Sequence, residues 1–194
     1  MKRIEFITAF LIVLGIGMKL LLIPGGSVIL GISLTVLACL YYPAGIFYFN
    51  NIHLTGIFKK KSYKELSFLR VTGAVAGGLI FSILCVGMLF KLLQLPGSRP
   101  MLIAGLCAGC LFLLIILIRF LINRGNTFYR DMVVRSLLIL SLSGILYSVS
   151  GLTLVKIFYR NHPEYIQAYE KAANNPNDMD LQRQAEEIRE KITD

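Results

Sequence analysis

Few side chains in this 194-residue chain have the types and spacing that chemistry needs. Cys107-Ala108-Gly109-Cys110 is a C-x-x-C, the spacing of a thiol pair that could pass electrons to a quinone. Such a pair needs a stabilised thiolate and access to water or a partner thiol. Cys107 lies about two helical turns from Pro100, with no charged neighbour in sequence, and Cys39 and Cys85 sit in equally apolar tracts. Small, polarizable residues at helix interfaces account for all of them as well. The chain has two histidines, His53 and His162, and no P-loop, nucleophile elbow or H-E-x-x-H. The sequence therefore predicts no catalytic residue, no cofactor and no metal site. What remains is a pair of lysines, Lys19 and Lys91, in otherwise apolar surroundings.

The elements that must position them are membrane spans. Hydrophobic residues make up 56% of the chain and charged ones 16%, against about 25% charged in soluble domains, and mean hydropathy is +0.69. That excludes a soluble globular enzyme, a disordered chain and a disulfide-stapled secreted domain. About 20 apolar residues cross a hydrocarbon core, and five tracts qualify: 6–23, 28–49, 71–95, 101–122 and 136–155. The first follows Lys2 and Arg3 but is long for a signal peptide and precedes no A-x-A site, so it reads as an uncleaved helix. The expectation is an all-α polytopic membrane protein.

Cations then set the orientation. Eleven flank one set of span ends (Lys2, Arg3, Lys59, Lys60, Lys61, Lys64, Arg70, Arg119, Arg124, Arg130 and Arg135), and five flank the other (Lys19, Lys91, Arg99, Lys156 and Arg160). The positive-inside rule puts the N-terminus in the cytoplasm and, after five spans, the C-terminal tail outside, in the periplasm of a bacterial inner membrane. His53 and His162 then fall on opposite sides. Tyr41, Tyr42, Phe47, Tyr48 and Phe49 are placed as a cytoplasmic interfacial belt. The net charge of +9 comes from these flanks, so nucleic acid is not an expected partner.

Self-comparison shows a repeat. At an offset of 72, Gly15, Lys19, Leu20, Leu21, Pro24 and Gly25 fall on Gly87, Lys91, Leu92, Leu93, Pro96 and Gly97. Each copy reads as a helix ending at Pro-Gly and returning at once, because Pro stops a helix and Gly tolerates positive φ. A weaker third copy starts at Gly151 and runs through Lys156 to Pro163. Two readings of the lysines stand open. Either the ammonium snorkels to headgroups, or it meets a partner's carboxylate, since the only acids before the tail are Glu5, Glu65 and Asp131.

The domain plan is a hairpin over 1–50, a basic cytoplasmic loop over 51–70, a second hairpin over 71–122, a second basic loop over 123–135, a fifth transmembrane helix over 136–160 and a tail over 161–194. Small-xxx-small pairs (Gly73/Gly77, Ala74/Gly78, Gly105/Gly109 and Gly144/Ser148) predict close helix packing. The tail holds eight acids against four cations and reads as two amphipathic helices, with Tyr165, Tyr169, Leu181 and Ile188 on a candidate interaction face. Its Ala168-Tyr169-Glu170-Lys171-Ala172 run before Pro176 resembles the second helix of a tetratricopeptide repeat.

Phe90-Lys91-Leu92-Leu93-Gln94-Leu95-Pro96-Gly97-Ser98, with Met101-Leu102-Ile103 and Gly105-Leu106, resembles the transmembrane hairpin of the GldL family of gliding-motility and type IX secretion motor subunits. The match covers residues 71–106, with an echo at 9–40. The resemblance implies a hairpin in a bacterial inner membrane, in a complex with a periplasm-reaching partner. It also implies proton flow through a membrane-buried Glu in the return helix, yet 28–49 and 101–118 contain no Asp or Glu. The expected function is therefore a non-enzymatic assembly or anchoring component. Its hairpin motif Lys19, Pro24, Gly25, Lys91, Pro96 and Gly97 would meet partners. Expected partners are the lipid bilayer and other membrane or periplasmic proteins, with a homo-oligomer open. The alternative is a small transporter or channel.

Overall fold

A computed structural model describes residues 2–42, 45–50, 67–175 and 177–193. The cluster Lys59, Lys60, Lys61 and Lys64, with His53 and Glu65, lies outside them. Every regular element among the described residues is helical: α1 (Lys2–Leu20), α2 (Gly26–Tyr41), α3 (Gly45–Phe49), α4 (Phe68–Leu92), α5 (Ser98–Ile122), α6 (Thr127–Ser148), α7 (Gly151–Phe158), α8 (Pro163–Asn174) and α9 (Met179–Thr193). Three stretches are long and apolar enough to cross a membrane: Arg70–Leu92 of α4, all of α5 and all of α6. Helix α1 carries Lys2, Arg3, Glu5 and Lys19 in 19 residues, and α2 has only 16.

Several boundaries differ from the sequence expectation for local reasons. The tract 28–49 stops being one helix at Tyr41, two residues before Pro43, and α3 follows separately. The loop expected over 123–135 is helical from Thr127, because Asn126 caps α6 by accepting from the Phe128 amide at 3.1 Å. Arg130, Asp131 and Arg135 lowered the hydropathy of that stretch without breaking its helix. The last span breaks at Val149, where Ser150 caps a new helix by accepting from the Thr153 amide at 3.0 Å.

The core is centred on α4, which packs against α2, α3, α5 and α6. Phe81 is fully buried there, edge-on to Tyr41, Phe49 and Phe112 at 5.5–6.0 Å between ring centroids. Tyr41 and Phe49 are thus core residues and not part of an interfacial belt, whereas Tyr42 stays exposed. Small residues let the backbones close up. Gly78 lies against the Tyr41 carbonyl, Gly77 receives the Phe112 ring, Gly105 receives Leu84 and Gly109 receives Leu140. Gly144 has open space instead, and Ser148 bonds back to its carbonyl at 2.9 Å.

The outside of the bundle is apolar. Phe6, Phe10 and Val13 of α1, Val28 and Ile32 of α2, Leu114 and Ile118 of α5, and Leu138 and Leu142 of α6 are all exposed. So large an apolar surface on a monomer needs a non-aqueous or protein cover. At the end away from the hairpin turns, Arg135 of α6 grips Glu5 of α1 through Nε at 3.0 Å and Nη2 at 3.1 Å. Tyr41 donates to the same carboxylate at 2.7 Å, and the Arg135 guanidinium lies over Phe49 at 5.5 Å.

Candidate functional site

The two hairpins turn by one backbone device. Helix α1 ends when Leu22 takes φ +60°, and α4 when Gln94 takes φ +59°. The Ile23 amide then reaches the Met18 carbonyl at 2.9 Å, as the Leu95 amide reaches Phe90 at 2.8 Å. Leu22 and Gln94 bond to the carbonyls of Lys19 and Lys91 at 3.3 and 3.4 Å. These paired bonds form a Schellman closure, completed by non-glycine residues in the left-handed region. Pro24 and Pro96 follow, and Gly25 (φ +89°) and Gly97 (φ +84°) start the return helices. The correspondence continues into the packing, since Gly15 faces Leu30 as Gly87 faces Leu102.

The two lysines diverge. Lys19 is 7% exposed and donates to the carbonyl of Leu92, the last residue of α4, at 2.6 Å. A cation there also meets the negative end of the α4 dipole. The Phe158 ring lies 4.7 Å from the same ammonium and the Tyr159 ring 5.9 Å. In the folded chain Lys19 thus joins both hairpins to α7. Lys91 is 6% exposed but makes no hydrogen bond, ion pair or ring contact with any described residue.

Above Lys91 the tail folds back onto the second turn. Pro163 opens α8, and Tyr165, 2% exposed, packs edge-on to Tyr159 at 4.7 Å and to Tyr169 at 6.1 Å. Burial, reinforced by Tyr159, holds the Tyr165 phenol well above its ordinary pKa, and burial also raises that of Tyr169, so both stay neutral. Ala185 of α9 is buried, and Ile188 packs against the core. Arg189 donates to the Gln94 carbonyl at 3.2 Å and to Glu186 at 3.3 Å. Of the face expected to meet a partner, Tyr165, Tyr169 and Ile188 are covered by the chain's own core, and Leu181 is half-buried. Between tail and turn lies a groove of about 670 Å³ lined by Lys91, Pro96, Gly97, Arg99, Tyr165 and Arg189, among others.

Comparison with known proteins gives no match to a family model, to a curated protein or to a solved structure.

Pro24, Gly25, Pro96 and Gly97 are exposed at the same end of the bundle as Lys19 and Lys91. The sequence reading missed Arg99 and Arg189 as neighbours of that motif. Arg99 was counted only as a topology marker, and nothing in sequence links residue 189 to residue 94. Cys107 and Cys110 are free and exposed, and Cys85 is buried. His162 precedes α8 with Glu164 at 4.0 Å, and the described residues hold no metal-ligating cluster.

Proposed function

We propose that the chain is a five-span, non-enzymatic protein of a bacterial inner membrane, N-terminus in the cytoplasm and tail in the periplasm, that anchors or assembles a membrane complex. Helices α1 and α2 join the three longer ones as spans because they expose the same apolar surface: Phe6, Phe10, Val13, Val28 and Ile32 need lipid as much as Leu114 or Leu138 do. Their rises, about 28 and 24 Å, approach the hydrocarbon thickness of about 30 Å. The resemblance of residues 71–106 to the GldL hairpin belongs to this proposal as architecture without the motor carboxylate.

The observation that carries it is the tail. Its apolar face is spent on the bundle, which turns α8 and α9 into a platform continuous with the hairpins and leaves Glu164, Asp180 and Glu187 facing outward. Glycine-depth packing between neighbouring helices supports a scaffold over a water-filled path. In-cell crosslinking, gentle detergent extraction and mass spectrometry test this. A stoichiometric partner lost in the double variant Asp180→Lys, Glu187→Lys, with insertion intact, is the expected result. A protein that stays alone while control crosslinks form removes the assembly reading. Liposome flux that Lys91→Ala reduces would favour the small transporter instead.

A further inference from the structure

We propose that the groove beneath the tail binds a phosphate-bearing anion, with the headgroup of an anionic phospholipid as its source. Lys91 is 94% buried from solvent, lines the groove and has no partner among the described residues. A covered lysine that lines a groove with no counter-charge beside it leaves a place for a charge the chain does not supply. Arg99 lines the same groove, exposed and likewise without a hydrogen bond or ion pair among the described residues.

The N-terminus of α5 adds to these two cations. Gly97 starts this 25-residue helix with no side-chain cap, and the Ser98 and Arg99 amides make no hydrogen bond among the described residues. Free amides and the positive end of a long helix dipole favour an oxyanion. The groove's acid, Glu186, is engaged by Arg189 at 3.3 Å, so its charge is taken up in that pair and does not cancel Lys91 and Arg99.

The lipid source follows from place and lining. The groove opens where α4 and α5, two helices long and apolar enough to span, reach their turn. Leu95, Pro100 and Leu152 give it an apolar wall beside the cations, the pairing an acyl chain and a headgroup require. The covered cation distinguishes it from a surface lysine cluster, which attracts anionic membranes without selecting a headgroup.

The test uses full-length protein in detergent, titrated with phosphatidylglycerol, phosphatidylcholine or inorganic phosphate and read by native mass spectrometry. Phosphatidylglycerol should be retained over phosphatidylcholine, and Lys91→Gln should weaken retention by about tenfold, the scale of one charge-assisted contact. Arg99→Gln, at an exposed position, should weaken it less while leaving the fold intact, which keeps the test valid if Lys91→Gln disturbs folding. Phosphate binding that is Lys91-dependent, with no preference between the lipids, supports the anion site and assigns it to a free anion. No Lys91- or Arg99-dependent binding of either probe overturns the proposal. Loss of a protein partner in the crosslinking experiment would leave this result unaffected, so the two readings fail separately.

Discussion

Lys19 and Lys91 stand at one register of one motif, beside turns that agree to within 5° in φ at both left-handed positions, and they have opposite fates. Lys19 is spent: its charge closes the end of α4 and is roofed by Phe158 and Tyr159. Lys91 is covered by the tail yet left without a partner. The repeat holds two copies of a buried lysine, and what lies C-terminal to each decides the outcome. Hairpin one is followed by a second hairpin that offers a carbonyl. Hairpin two is followed by the α6–α7 break and a tail that contributes a groove.

The largest expected effect breaks the comparison at the far end of the first hairpin. Glu5→Gln leaves the largely buried Arg135 without its carboxylate, which should cost about 3 kcal/mol. The second hairpin has Gly77 at that register, 72 residues on, which has no side chain to make such a tie. Thermal unfolding in detergent, followed by far-UV circular dichroism because the chain has no Trp, measures this. A loss no greater than that of an exposed substitution would mean the pair is ornamental.

Next comes a difference in sign. Lys19→Met removes a charged hydrogen bond and should cost about 2 kcal/mol. Lys91→Met removes an unpartnered buried charge and should be neutral or stabilising in the lipid-free protein. Equal losses in the two melts would erase the distinction between them. Smaller still, Gly25→Ala and Gly97→Ala should each cost about 1–2 kcal/mol, the penalty of a left-handed L-residue, and near-equality would confirm that the turns are energetically one device. Last, Leu22→Gly should gain about 0.5 kcal/mol by the same reasoning. Gln94→Gly should gain less, because it also removes the side-chain Nε2 that donates to the Lys91 carbonyl at 3.1 Å.

The turns were legible because Lys, Pro and Gly recur at fixed spacing and each has a local physical meaning. Their partners were not. Lys19 and Leu92 are 73 residues apart, and Glu5 and Arg135 are 130 apart. In sequence Arg135 is only one of the orienting cations and Glu5 only one of three acids before the tail. The start of α6 was hidden by Arg130, Asp131 and Arg135, which lower hydropathy without breaking a helix. The tail's two amphipathic helices could be read from periodicity, but periodicity names an apolar face and not what covers it. The same limit hid Tyr41 and Phe49, whose aromatic character suits an interface as well as the core that holds them.

The position of the Lys19 ammonium also has a consequence in time. Its surroundings come from three parts of the chain: α1 itself, the end of α4 and the aromatic pair that closes α7. During synthesis the first hairpin emerges with that charge uncompensated. It waits for about seventy further residues before a carbonyl arrives, and for α7 before the rings cover it. Contacts of such long sequence separation form late, so the oldest part of the chain is finished last. A ribosome that stalls after the second hairpin would leave an inserted protein with an open seam at Lys19, a natural handle for membrane quality control.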